Sequence, residues 1–132
     1  MFVPVTSFYA AAAALFLIPL SLWVIFARQD LGVAWGDGTE DGDRLMRLRR
    51  AHGNFIEYVP MALIVLMLAE IQGAPAWALH LSGKSLLIGR VVHAAGLIRF
   101  PGDLRFRVVG MVLTFTALGA GTLSALWATF AG

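Results

Sequence analysis

The chain has 132 residues, of which 59% are hydrophobic and 14% charged, and its mean hydropathy is +0.79. Soluble domains carry about 25% charged residues, so this composition indicates an integral membrane protein, and the length predicts one domain over residues 1–132. Because cysteine is absent, a disulfide framework, a thiolate metal site and a cysteine nucleophile are excluded. The net charge of +2 comes from arginines clustered beside apolar segments, which membrane topology explains better than nucleic-acid binding.

Four apolar segments predict four membrane-spanning helices, over about residues 3–27, 44–71, 76–97 and 106–130. Each is long enough to cross a hydrocarbon layer of about 30 Å. The first lacks the basic n-region of a signal peptide, so we expect it to be retained. An acidic loop precedes the second span, and Asp43 is a candidate N-cap for it. The short connections predict an all-α, up-down-up-down bundle.

Basic residues are distributed unevenly between the two ends of this predicted bundle. The first and third loops and their flanks contain Arg28, Arg44, Arg47, Arg49, Arg50, Arg99, Arg105 and Arg107. The two termini and the second loop contain none. The positive-inside rule therefore predicts that both arginine-rich loops face the cytoplasm and that both termini face outward.

One face of the second span is polar. At about 100° per residue, this face collects the side chains Arg47, Arg50, Asn54, Glu57, Tyr58 and Met61. His52 and Arg49 fall on other faces. In the third span, Arg90, His93 and Leu97 share one face, whereas His80 and Lys84 share the opposite one.

An ionisable group at mid-membrane costs roughly 3 kcal/mol or more when it faces lipid, so Glu57 and Arg90 need partners. One interpretation is a structural ion pair between these two residues. That pair leaves Arg47 and Arg50 unexplained, and one acid among several arginines makes a pocket with surplus positive charge. Such a pocket suits an anion, or a zwitterion with more acidic than amino groups, since arginine binds carboxylates bidentately.

The remaining polar side chains favour structural roles. We expect His52 to contact a neighbouring helix, and Lys84 to reach the membrane surface or pair with Glu70. The three histidines lack the spacing of ligands with a nearby carboxylate, so we predict no metal site.

The pattern Arg47-x-x-Arg50-Ala-His-x-Asn54-x-x-Glu57-Tyr58-x-Pro60 resembles the signature of the MAPEG family, the membrane-associated proteins in eicosanoid and glutathione metabolism. The resemblance extends along nearly the whole chain, through Arg90 and His93 to an arginine that opens the fourth span. It is most similar to the small bacterial branch, which implies a location in the bacterial inner membrane. The resemblance also implies a homotrimer that binds glutathione between subunits near the cytoplasmic side.

Residue roles follow from the same resemblance. The residues implied to bind glutathione are Arg28 from a neighbouring subunit, Arg47, Arg50, Asn54, Glu57, Tyr58, Arg90 and His93. Glu57 would accept the glutamyl ammonium group, and an arginine at the start of the fourth span would stabilise the thiolate. Arg105 is favoured for that second role over Arg107, and only one can face the site because they are about 200° apart. Synthases of the family carry tyrosines at the positions of His93 and Leu97.

Three functional hypotheses follow from the polar pocket and the family resemblance. The first is a glutathione-dependent transferase or peroxidase for lipophilic electrophiles that enter from the lipid. The second is a protein of the same fold that binds glutathione or another anion without catalysis. The third is a small transporter with Glu57 as a proton-coupled site, which is the least favoured because small multidrug transporters carry their essential acid in the first span, which is uncharged here.

Overall fold

A computed structural model describes residues 2–36 and 43–131 of the chain. Over these residues it contains four helices and no strand: α1 at Pro4–Leu31, α2 at Asp43–Ile71, α3 at Ala76–Ile98 and α4 at Leu104–Ala131. All four are long and apolar enough to cross a membrane. The predicted all-α four-helix membrane bundle is therefore confirmed. The acids at 37–42 and the side-chain cap predicted at Asp43 lie outside the described residues.

The first helix is longer than predicted, because a charged residue does not end it. α1 continues past Arg28 to Leu31 and stops at Gly32, which adopts φ +64° in the left-handed region. The N–H groups of Gly32 and Val33 donate to the carbonyls of Gln29 and Arg28, over 3.1 and 3.0 Å. This glycine cap closes the last turn of α1 and places Arg28 inside the helix.

The four helices divide the molecule into two ends. The arginine-rich end holds the end of α1, the start of α2 and the α3–α4 connection, and the terminal end holds the start of α1, the end of α4 and the α2–α3 turn. At the terminal end, the Glu70 side chain of α2 caps the first turn of α1. It accepts hydrogen bonds from the backbone N–H groups of Val5 (2.8 Å) and Thr6 (2.7 Å). These amides have no partner inside their own helix, so the Glu70 carboxylate completes the start of α1.

Helix α3 is the most buried of the four, and it packs most closely against α4. Gly89 and Gly110 face each other where these helices cross. A Cβ added to Gly89 would lie 2.8 Å from the Gly110 carbonyl oxygen, and one added to Gly110 would lie 2.6 Å from the Cβ of His93. The small residues thus permit a close backbone approach, which brings Arg90 and His93 of α3 next to the first turns of α4.

Candidate functional site

A cavity of about 440 Å³ opens at the arginine-rich end, between α2, α3 and α4. Most of its lining comes from α2, and α3 and α4 complete it. The lining residues are Met46, Arg49, Arg50, Gly53, Asn54, Glu57, His93, Leu97 and Arg107. The volume lies in the range of pockets that hold small organic ligands. The predicted polar faces of the second and third spans therefore meet around one cavity.

The α2 wall follows helical spacing. Arg50, Asn54 and Glu57 are four and three residues apart, so their side chains lie on one face along about two turns. Gly53 lies within this wall, and a Cβ at that position would meet no atom within 4 Å. The missing side chain leaves open space beside the polar groups, which is part of why a cavity exists here.

Arg107 lines the cavity from α4, whereas Arg105 does not. The Arg105 side chain is 88% exposed and bonds the Asp103 carboxylate, with 2.9 Å between Nη2 and Oδ2. These hydrogen bonds from Arg105 lower the pKa of the Asp103 carboxyl. The Nε of Arg107 is buried and has no hydrogen-bond partner in the part of the chain that the structure describes. Of the two arginines, Arg107 is therefore the one that lines the cavity of the single chain.

Arg90 lies behind the cavity wall and is only 2% exposed. Its Nε and Nη2 donate to the Thr114 hydroxyl over 3.0 and 2.5 Å, and its Nη1 donates to the Asn54 side-chain oxygen. Its Nη2 also contacts the Met111 sulfur at 3.4 Å, and its guanidinium lies 5.5 Å from the centre of the Tyr58 ring. Arg90 is thus fully engaged by protein groups, and it orients the Asn54 amide that lines the cavity.

Glu57 differs from Arg90 in its surroundings. Its side chain is exposed, and among the residues described here no ion pair or hydrogen bond engages its carboxylate. The ion pair between Glu57 and Arg90 that the sequence allowed is therefore not found, because the Arg90 donors are taken by Asn54 and Thr114. Glu57 lies at the middle of α2, where an unpaired carboxylate facing lipid is costly. The cavity is the polar environment that the protein offers it.

Several predicted binding residues lie outside the cavity of the single chain. Arg28 donates to the Gly36 carbonyl oxygen over 3.1 Å and lines a separate pocket at the end of α1. Arg47 is half-buried, and its Nε has no hydrogen-bond partner among the described residues. Tyr58 packs edge-to-face against Phe115, with ring centres 5.8 Å apart. The structure thus brings Arg50, Asn54, Glu57 and His93 together, with Arg90 directly behind them.

Arg49 also lines the cavity, although the helical wheel assigns it to another face of α2. Arg49, Gly53 and Glu57 follow one another at four-residue spacing, so the cavity-facing side of α2 is broader than the predicted polar face. This four-residue row is the sequence signal that includes Arg49 in the face. His52 behaves as expected: its Nε2 lies 3.0 Å from the Ser21 hydroxyl of α1 and joins the two helices.

Comparison with known proteins agrees with this architecture. The model of the MAPEG family matches residues 6–127. The inner membrane protein YecN of Escherichia coli K12 is 38% identical over 124 residues, which cover 93% of this chain and 91% of that protein, and YecN of E. coli O6:H1 matches to the same extent. No solved structure matches the chain. With the family match spanning nearly all of its length, this membrane protein belongs to the MAPEG family.

Proposed function

We propose that this protein is a membrane-bound, glutathione-dependent transferase or peroxidase that acts on lipophilic electrophiles through a thiolate stabilised by Arg107. The observation that carries the proposal is the charge of the cavity. Three arginines and one glutamate line it: Arg49, Arg50, Arg107 and Glu57. Glutathione carries two carboxylates, one ammonium group and one thiol, so it fits a site with more cations than acids.

Each polar group of the tripeptide has a candidate partner in the cavity. Arg50 and Asn54 offer donors to a carboxylate and to the peptide backbone, and Glu57 offers an acceptor to the glutamyl ammonium. His93 and Leu97 are buried and form the α3 wall, where leucine adds packing without a hydroxyl group. Arg90 contributes through Asn54, because its own donors already have protein partners.

Arg107 is proposed to hold the sulfur. An adjacent guanidinium lowers the pKa of a free thiol from about 8.5 toward neutrality, and the Arg107 Nε lacks a described protein acceptor. The thiol proton passes to water, and the sulfur lone pair attacks an electrophilic carbon while the leaving group departs with its bonding electrons. With a hydroperoxide, the thiolate attacks the terminal oxygen and the O–O bond breaks, which gives a sulfenic acid and an alkoxide. The alkoxide takes a proton from water and leaves as the alcohol. A second glutathione converts that acid to the disulfide and water.

We further propose a homotrimer in the inner membrane, with both termini periplasmic and the arginine-rich end cytoplasmic. Arg50 and Glu57 are exposed along the cavity side of α2, so a neighbouring subunit would shield charges that a single chain leaves open. Arg28 would then act on the neighbour's site, which accords with its position outside its own cavity. Lipophilic substrates would enter from the lipid between subunits.

Replacing Arg107 with alanine tests this proposal, with Arg105→Ala as the matched control two residues away. We expect Arg107→Ala to lower conjugation of a lipophilic electrophile by about 100-fold, the scale for losing one donor to a developing anion. It should also remove the thiolate absorbance of bound glutathione while leaving calorimetric binding within about ten-fold, because the other polar contacts remain. Arg105→Ala should change neither readout, since that side chain bonds Asp103 outside the cavity.

Equal turnover in wild type and Arg107→Ala would contradict the assigned role. Glutathione binding without thiolate formation in the wild type would instead favour the second candidate, a protein of this fold that binds glutathione without catalysis. The specific observation behind that candidate is Leu97, which places a methyl-bearing side chain in the cavity wall where family synthases carry a tyrosine hydroxyl.

A further inference from the structure

A second polar feature lies at the opposite end of the bundle from the proposed glutathione cavity. A groove of about 710 Å³ runs between α1 and α3 at the terminal end. Aromatic and apolar side chains form most of its lining, together with two basic groups. The lining residues are Phe8, Tyr9, Trp77, His80, Leu81 and Lys84.

The floor of this groove is rigidly held. Tyr9 is 2% exposed, and its ring packs over Gly83, where an added Cβ would lie 2.2 Å from the ring. The Tyr9 hydroxyl lies 2.9 Å from Nδ1 of His80. When the hydroxyl donates to Nδ1, the neutral imidazole carries its proton on Nε2, so the exposed edge of His80 presents a hydrogen-bond donor to the groove.

Lys84 lies one turn beyond His80 on the same exposed face of α3, beside Leu81 and Ile88. No ion pair engages its ammonium in the part of the chain that the structure describes. The pairing with Glu70 considered from the sequence does not form, because both Glu70 oxygens accept backbone N–H groups of α1. A cation on an otherwise apolar exposed surface of a membrane-spanning helix needs an anion or a path to the headgroups.

The depth of Lys84 places it within reach of a headgroup. Its Cα lies about 12 Å along α3 from Ala76, where the helix begins at the terminal end. Side chains of a helix lean toward its N-terminus, so the Lys84 side chain extends toward that same surface. Trp77 and Phe8 are 71% and 64% exposed and lie nearer the surface, at the depth that suits amphipathic and aromatic rings.

We propose that this groove binds an anionic phospholipid of the leaflet at the terminal end. The lipid phosphate lies between the Lys84 ammonium and the His80 Nε2–H, and an acyl chain lies along Leu81 and Ile88. Charge complementarity favours a lipid over a second copy of the chain. Among the described residues the acidic side chain at this end is Glu70, whose oxygens already have partners, so another copy brings no free carboxylate side chain to Lys84.

Native mass spectrometry of the protein from vesicles of phosphatidylglycerol and phosphatidylcholine with identical chains tests this site. We expect the wild type to retain phosphatidylglycerol preferentially. Lys84→Gln should lower that preference by about five-fold, the scale of one basic residue at an anionic surface, and Lys84→Arg should keep it. Arg105→Gln, an exposed cation at the other end, is the matched control and should leave the preference unchanged.

A second measurement does not depend on a Lys84 variant. In a protein whose other tryptophans are phenylalanine, Trp77 should be quenched more strongly by chain-brominated phosphatidylglycerol than by the matched phosphatidylcholine. Equal quenching by the two lipids would overturn the proposal, as would unchanged lipid preference in folded Lys84→Gln. Absence of quenching by either lipid would also overturn it, because another copy of the chain would then cover the groove.

Discussion

Two glutamates of the same helix have opposite environments. Glu70, near the end of α2, is half-buried and accepts backbone hydrogen bonds of 2.8 and 2.7 Å from the first turn of α1. Glu57, at the middle of α2, is exposed to a cavity and has no partner in the described residues. Residue type and helix are the same, but the two carboxylates differ in hydrogen-bond satisfaction. A satisfied carboxylate joins helices, and an unsatisfied one is free to bind a ligand.

The arginines divide in the same way. Arg90 is buried and donates to Thr114 and Asn54, whereas Arg50 is exposed along the cavity wall beside Glu57. We expect substitutions of Glu70 and Arg90, whose side chains have hydrogen-bond partners, to affect stability. Substitutions of Glu57 and Arg50, which line the cavity, should affect binding. The variants that follow test that division.

The largest effect is expected at Arg50. Arg50→Ala removes a charged donor from the cavity and should weaken glutathione binding by about ten- to 100-fold, the scale of a hydrogen bond to a charged group. Its thermal unfolding should stay close to that of the wild type, because the side chain is exposed. Arg44→Ala is the matched control: Arg44 is also an exposed arginine of α2, and it does not line the cavity. Calorimetry in detergent measures glutathione binding by the wild type and the two variants. Equal binding by all three proteins would contradict the proposed glutathione site.

An intermediate effect is expected at Thr114. Thr114→Val keeps the shape of the side chain but removes the oxygen that accepts two hydrogen bonds from Arg90. Leaving these buried donors unpaired should lower the free energy of unfolding by about 1–3 kcal/mol. Glutathione affinity should fall less than in Arg50→Ala, because Asn54 loses orientation but not its amide. Thr116→Val is the control, since the Thr116 hydroxyl is exposed and bonds its own helix at the Val112 carbonyl.

Two glycines, one packed and one open, form the last comparison, and the open one is expected to give the smallest effect. Gly89→Ala introduces a Cβ 2.8 Å from the Gly110 carbonyl oxygen and should destabilise the bundle by about 1–3 kcal/mol. Gly53→Ala introduces a Cβ with no atom within 4 Å and should stabilise α2 by about 0.5–1 kcal/mol, because alanine loses less backbone entropy. Thermal unfolding of both variants measures the difference. Equal stabilities would show that the close contact of α3 and α4 does not exist.

Helical periodicity predicted a part of the cavity wall that each helix forms. Arg50, Asn54 and Glu57 share a face because of their spacing, and His93 and Leu97 do so for the same reason. Periodicity could not decide whether Arg105 or Arg107 lines the cavity. That choice depends on where α4 begins and on Asp103, whose carboxylate binds the Arg105 side chain two residues later.

The contacts of Arg90 with other helices could not be predicted from the sequence. Charge favoured a pair between Glu57 and Arg90, but the Thr114 hydroxyl on α4 and the Asn54 amide take the Arg90 donors. The end of α1 was also misplaced, since a charged residue at Arg28 indicated a stop that only the glycine geometry at Gly32 provides. In both places hydrogen bonding and backbone conformation, rather than charge, decide the structure.

The most direct test of the account is glutathione calorimetry on the wild type, Glu57→Gln and Glu70→Gln in the same detergent. Glu57→Gln should weaken binding by about ten-fold or more, because it removes the negative charge proposed to meet the glutamyl ammonium. Glu70→Gln should leave binding unchanged and lower the unfolding temperature, because its carboxylate completes the start of α1. Equal affinity in wild type and Glu57→Gln, or a loss of binding confined to Glu70→Gln, would contradict the central claim.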